Sequence, residues 1–328
     1  MIPRSRWTVQ LFPTLLRLTG PHGEEVMHPL PIRGAVHEWT AQLDLECGEV
    51  RVWGRAQDYF LFRINRLPEG ITLIGERAYA SQHLLVPDEA CGTLAVGSPS
   101  GPAVEQPQSE EKERLQFGAH AIHDVDRLRV NPVLAQLLPA WFLLGEGWTV
   151  GDSLTEESSL LGQWTRQVAE ANSDGLSELL TELWRSGFSG LWHPHARDTQ
   201  FWGNALPPTQ GNPWALLAAG RHLLRQMAMQ WEGDKLTLLP CMPAILPAGR
   251  LLHSMGPSVL CSLEWTKRTP RRLWVQAKES CSLQITWKGE PQARLQRLQN
   301  RKREPFQQGT TLQLVKGEEL LIDRFSKA

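Results

Sequence analysis

The sequence predicts a multidomain fold of mixed α and β structure: an N-terminal antiparallel β-sandwich, a helical middle and a C-terminal β-sandwich. Three observations predict it. Apolar and polar residues alternate at period two through residues 7–95, the period lengthens to that of a helix across 131–230, and it returns to two from Lys235 onward.

The N-terminal domain is expected over residues 1–96. Alternation is clear in Trp39-Thr40-Ala41-Gln42-Leu43-Asp44-Leu45, in Glu49-Val50-Arg51-Val52-Trp53, in Tyr59-Phe60-Leu61-Phe62-Arg63-Ile64 and in Ile71-Thr72-Leu73-Ile74. Turn residues separate these runs at Cys47-Gly48, Gly54, Pro68-Glu69-Gly70 and Gly75. Short strands at such spacing build an antiparallel sandwich. Residues 97–113 are rich in Pro, Ser and Glu, offer little to bury, and are expected to be a flexible linker.

The helical domain is expected over 114–232. Ser153 with Glu156 three residues on has the form of a capping box, opening a helix with Leu160, Leu161, Trp164 and Val168 on one face. A second helix is expected from Asp174 to Gly187, with Leu176, Leu179, Leu180, Leu183 and Trp184 at helical spacing. A third is expected from Asn212-Pro213, a cap followed by proline at the first helical position, with Leu216, Leu217, Leu223, Leu224 and Met227 apolar. The C-terminal sandwich is expected over 233–328. Its candidate strands are Leu236 to Leu239, Val259 to Trp265, Arg272 to Ala277, Ser282 to Trp287, Thr311 to Val315 and Glu319 to Ile322.

Composition narrows the function classes. The 328 residues carry 34 Lys+Arg against 35 Asp+Glu, a net charge of -1, which lacks the basic excess that non-specific nucleic-acid binding needs. No apolar run approaches the roughly 20 residues of a membrane span, and the basic N-terminus is followed by no small-residue cleavage site. Five cysteines without a CxxC pair argue for reduced, buried thiols and a cytoplasmic location. No Gly-rich phosphate loop, GxSxG elbow or GxGxxG is present, so no cofactor is expected. The aromatic balance is unusual, 14 Trp against 2 Tyr; indoles serve either as core or as flat platforms for the C–H face of a sugar.

Two stretches concentrate chemistry. Gly190-Leu191-Trp192-His193-Pro194-His195-Ala196-Arg197-Asp198, continuing to Trp202, lies between two expected helices. Trp192 and Trp202 could stack on a ligand and Arg197 supply hydrogen bonds, while His193 and His195, two apart, could with Asp198 either ligate a metal or serve acid–base work. The alternative is a packed or solvated loop. His120, His123, Asp124 and Asp126 form HxxHDxD, readable as metal ligands on a helix face or as a polar helix start; no third distant ligand is evident and no metal site is expected. Glu146, flanked by Gly145, Gly147 and Trp148, is the second catalytic candidate, since glycosidic bond cleavage needs two facing carboxylates.

The segment Pro213-Trp214-Ala215-Leu216-Leu217 through Trp231-Glu232-Gly233-Asp234-Lys235-Leu236-Thr237-Leu238-Leu239-Pro240-Cys241-Met242-Pro243 resembles the junction between the last barrel helix and the C-terminal β-sandwich of glycoside hydrolase families 95 and 65. Val259-Leu260-Cys261-Ser262-Leu263-Glu264-Trp265 and the runs ending at Val275 and Trp287 resemble the strands that follow. The resemblance covers residues 212–290. It implies a glycoside-hydrolase-like protein that processes or binds carbohydrate, with a saccharide as ligand. Those families carry a full (α/α)6 barrel, whereas residues 115–232 have room for about five to seven helices, so the middle would be a reduced α/α-barrel and the catalytic function degenerate. No acid or base of those families maps onto a residue here. The alternative is a non-catalytic scaffold whose Trp-rich surface meets a protein partner.

Overall fold

The structure is a computed structural model. It describes the chain outside residues 1, 3–6, 21–22, 31, 45–48, 68–69, 78–81, 85–112, 119–127, 129, 148–158, 190–192, 195–204, 206–213, 300–301 and 326–328. The fold is mixed and rich in antiparallel sheet, and the chain divides into two compact units. The first comprises Met1–Gln108 with Leu143–Trp148, the second Ser109–Phe142 with Thr149–Ala328.

The first unit holds two sheets. Strands β1 (Thr8–Phe12), β2 (Leu15–Thr19) and β3 (Glu25–Pro29) form an antiparallel meander. Strands β4 (His37–Asp44), β5 (Glu49–Arg55), β6 (Tyr59–Leu67), β7 (Gly70–Arg77) and β8 (Gln82–Leu84) pair in chain order. Alternation does the work expected of it: Leu16 and Leu18 of β2, Val50 and Val52 of β5, Phe60, Phe62 and Ile64 of β6, and Ile71 and Leu73 of β7 form one core with Ile2 and Trp7. The four strands read from alternation are β4–β7; the flanking β1–β3 and β8 add to them.

The second unit contains the four α-helices found among the described residues: α1 (Leu134–Leu144, its last two residues grouped with the first unit), α2 (Leu160–Ala169), α3 (Leu176–Gly187) and α4 (Ala215–Ala228). The expected capping box does not open α2. Ser159 caps it, its Oγ accepting from the Gly162 amide at 3.0 Å, while residues 151–158 lie outside the described residues. Helix α3 starts after Gly175, whose φ of 68° no helical residue adopts, and Asn172 Oδ1 holds the preceding turn by accepting from the Asp174 amide. The helices meet around two indoles. Trp141 of α1 stands edge-on to Trp164 of α2 at 5.6 Å and donates from Nε1 to the Leu216 carbonyl of α4 at 3.1 Å. It lies so close to α4 that only glycine fits at position 220, where a Cβ would run into the indole.

Helix α4 passes directly into a hairpin, β12 (Met229–Glu232) and β13 (Lys235–Leu238), which turns at Gly233 with φ 58°. The remaining chain forms two sheets. One has the order β12-β13-β17-β20, where β17 is Cys281–Trp287 and β20 is Thr311–Leu314; the β13–β17 pair is parallel. The other has the order β19-β18-β21-β16-β15-β14-β9, with β9 Arg114–Gln116, β14 Gly249–Met255, β15 Val259–Thr266, β16 Thr269–Ala277, β18 Gln292–Arg297, β19 Arg303–Gln307 and β21 Glu319–Asp323. Their apolar faces meet: Trp287 of β17 lies 6.1 Å from Phe306 of β19 and edge-on to Phe325 at 5.0 Å. Trp265 and Trp287 are buried, whereas Trp274 is half-buried. Strand β9, the first three residues of the expected helical domain, is instead an edge of the larger sheet, pairing with β14. The helices and the C-terminal sheets therefore share one unit. Among the described residues no helix is long and apolar enough to cross a membrane.

Candidate functional site

Of the seven site residues drawn from the sequence, the structure describes two. Helix α3 runs from Gly187 straight into a two-stranded ribbon, β10 (Phe188–Ser189) and β11 (His193–Pro194), in which the His193 backbone pairs with Ser189. Trp192, His195, Arg197, Asp198 and Trp202 lie outside the described residues, as does the HxxHDxD stretch. Glu146 sits in a 3-10 turn, Gly145–Gly147, directly after α1 and is half-buried. Glu146 is thus placed on a short turn that ends a helix, and His193 on the second strand of a short ribbon.

A buried polar cluster among the described residues was not legible as a site. Glu113, the last residue of the expected linker, is buried at 9% exposure beneath α4. Its Oε1 accepts from Arg225 Nε at 2.7 Å, and its Oε2 accepts from Arg225 Nη2 at 2.5 Å and Arg221 Nη2 at 2.6 Å. Arg221 also donates to the Phe142 carbonyl at 2.9 Å and lies 4.4 Å from the centre of the Phe142 ring. Burial alone would raise the Glu113 pKa. The hydrogen bond and charge of Arg225, the charge of Arg221 and the nearby Ser254 hydroxyl outweigh it and hold the carboxyl below its ordinary value. A carboxylate so held stays ionised at neutral pH and has both oxygens occupied, so it is unsuited to proton donation. The cluster ties the start of β9 to α4.

The three described thiols are likewise poorly suited to nucleophilic attack. Burial pushes Cys241 up to about 11, against a smaller opposing effect of Lys288, and its Sγ donates to the Asn172 carbonyl at 2.8 Å. Burial also raises Cys261 and, with Asp234 and Glu279 nearby, Cys281. A raised thiol pKa leaves little thiolate for nucleophilic attack. Cys47 and Cys91 lie outside the described residues.

The tryptophans divide by role. Trp7, Trp141, Trp164, Trp184, Trp265 and Trp287 are buried and serve as core. Trp39, Trp53, Trp214, Trp231 and Trp274 keep part of a face in solvent, while Trp148, Trp192 and Trp202 lie outside the described residues. Among the described residues no group of three or more His, Cys, Asp or Glu is arranged to hold a metal ion. No protein-family model matches the chain, and no curated protein matches it.

Proposed function

We propose that the chain is a carbohydrate-binding protein built on a degenerate glycoside-hydrolase framework: an N-terminal β-sandwich, a reduced α/α-barrel and a C-terminal β-sandwich. The observation that carries the reading is the path of the chain over the stretch that resembles families 95 and 65. Helix α4, the β12–β13 hairpin, the Leu239-Pro240-Cys241-Met242-Pro243 run and the two facing sheets follow one another in the order that the resemblance implies. The sugar would be taken by the loop that β10 and β11 open, with Trp192 and Trp202 as stacking faces and His193, His195 and Arg197 as hydrogen-bonding groups. Glu146 and Asp198 are the carboxylates to test for residual hydrolysis, each by its own substitution.

Titration of the full chain with mono- and oligosaccharides, followed by tryptophan emission, tests this directly. A saturable change is expected in the wild type and should vanish in Trp192→Phe/Trp202→Phe and in His195→Ala/Asp198→Ala, with the thermal midpoint unchanged. Hydrolysis surviving in the wild type and lost in Glu146→Gln and Asp198→Asn would make the protein an enzyme rather than a binder. Should no saccharide perturb the wild type, the reading fails. A protein-interaction scaffold then becomes the better account, and exposed Ile245 and Met255 on the second unit favour it.

A further inference from the structure

The β15–β16 hairpin of the second unit borders a cleft of about 510 Å³ lined by Lys267, Arg271, Arg272, Asp323 and Arg324, with the buried Phe325 beside them. That volume is in the range of small-molecule sites. Three departures from regular backbone converge there. Lys267 and Arg268 form the two-residue turn between the paired Thr266 and Thr269, at φ 54° and 58°. A turn with both central residues at positive φ ordinarily takes Asn-Gly, so two long cations are held in a conformation that disfavours them. Next, Glu264 pairs with Arg272 but Trp265 pairs with Pro270, which leaves Arg271 as the extra residue of a β-bulge. The bulge breaks the alternation, and Arg271 and Arg272 are both exposed. Finally, Arg324, just past β21, is again left-handed at φ 59°.

Charge at the cleft is unbalanced. Asp323 gives both carboxylate oxygens to Arg294, at 2.7 and 2.5 Å. Arg272 lies 3.7 Å from Glu264 in an exposed pair of little strength. Among the described residues no carboxylate forms an ion pair with Lys267, Arg271 or Arg324. Strained backbone that gathers uncompensated cations around a concavity is the arrangement of an anion site.

We propose that this cleft binds a small molecule carrying a phosphate monoester. Planar guanidinium groups match the paired oxygens of a tetrahedral dianion, Lys267 adds a point charge, and Thr266 and Thr269 offer hydroxyls. The cleft exceeds the volume of phosphate alone, and Pro270 and Phe325 give its remaining wall an apolar character suited to an attached organic group. A long polyanion is disfavoured, because the basic groups surround one cleft and the whole chain carries a net charge of -1. The proposal stands on residues outside the 190–204 loop and is independent of the saccharide reading.

Calorimetric titration of the full chain at about 0.15 M salt tests it, with glucose 6-phosphate, glucose, inorganic phosphate, a short oligonucleotide and anionic phosphatidylserine vesicles as probes. Glucose 6-phosphate should bind at one site, glucose should not bind there, and free phosphate should bind more weakly. Arg271→Gln/Arg324→Gln should weaken the ester about tenfold or more, the loss expected for hydrogen bonds to a charged group. Lys267→Asn/Arg268→Gly should also weaken it while giving the turn its preferred residues, so failure to fold cannot imitate the result. Lys316→Gln, an exposed cation in another turn, should leave it unchanged. The proposal is overturned if the ester gives no heat, if Lys316→Gln weakens it as much as the cleft variants do, or if free phosphate binds as tightly as the ester. Preferential binding of the oligonucleotide or the vesicles overturns it as well.

Discussion

Glu113 sits between two arginines whose spacing, Arg221 and Arg225 on one face of α4, could be read from the sequence, while their partner could not. It ends a run of acidic residues that taken alone suggests a solvated segment, and only its tertiary neighbours make it a buried anion. The consequence for stability has a definite sign. Because its folded pKa lies below the ordinary 4.5, its ionisation stabilises the fold above pH 4.5, and that contribution is lost as pH falls through the lowered folded value. Glu113→Gln should cost about 3 kcal/mol at neutral pH, since it leaves two partly buried guanidinium groups uncompensated. In urea unfolding below pH 4.5 the gap between wild type and variant should narrow; a gap independent of pH would show that Glu113 is not the titrating group. At the same scale, Gly220 reads in sequence only as a break in an apolar run. The Trp141 indole that occupies the space of its missing side chain comes from another helix, which local pattern cannot reveal.

Elements were legible where one face is uniformly apolar. Strands β5, β6, β15, β16 and β17 alternate over most of their length, and the structure places them within a few residues of where the pattern does. Those that escaped notice have physical reasons. In β14, His253 is left-handed at φ 55° and the register slips between Leu251 and Ser254, so period two is broken midway. In β18 only Ala293 and Leu295 are buried while Arg294 and Gln296 face outward, too few apolar residues for a pattern. β12 continues directly from α4, so its residues read as one more helical turn. The start of α2 shows the limit of motifs: Ser153 and Glu156 have capping-box spacing, but Ser159 makes the cap. Ser159→Ala should therefore destabilise the chain by about 1 kcal/mol in chemical denaturation, as loss of a helix N-cap does. An unchanged midpoint would mean that the 3.0 Å hydrogen bond to Gly162 contributes nothing to stability.

At the scale of the whole molecule, the sequence anticipates sheet, helix and sheet in that order, but not how they are grouped. Three residues are enough to close a sheet edge, too few to carry a periodic pattern. Strand β9 does so with Leu115, which is buried and pairs with Leu251 of β14. The first unit has a core of its own, drawn from β2, β5, β6 and β7. Replacing Leu115 by Ser removes apolar contact and puts a hydroxyl where no water reaches, a loss of about 3 kcal/mol. The effect should be local. Amide exchange should accelerate in β14, whose outer hydrogen bonds β9 supplies, and less in β15, which keeps its pairing with β16. Exchange in β5, β6 and β7 should stay at the wild-type rate, because their protection comes from a separate set of buried side chains. Equal acceleration in both units would show that they unfold as one cooperative body. No change in β14 would show that β9 does not protect the sheet edge.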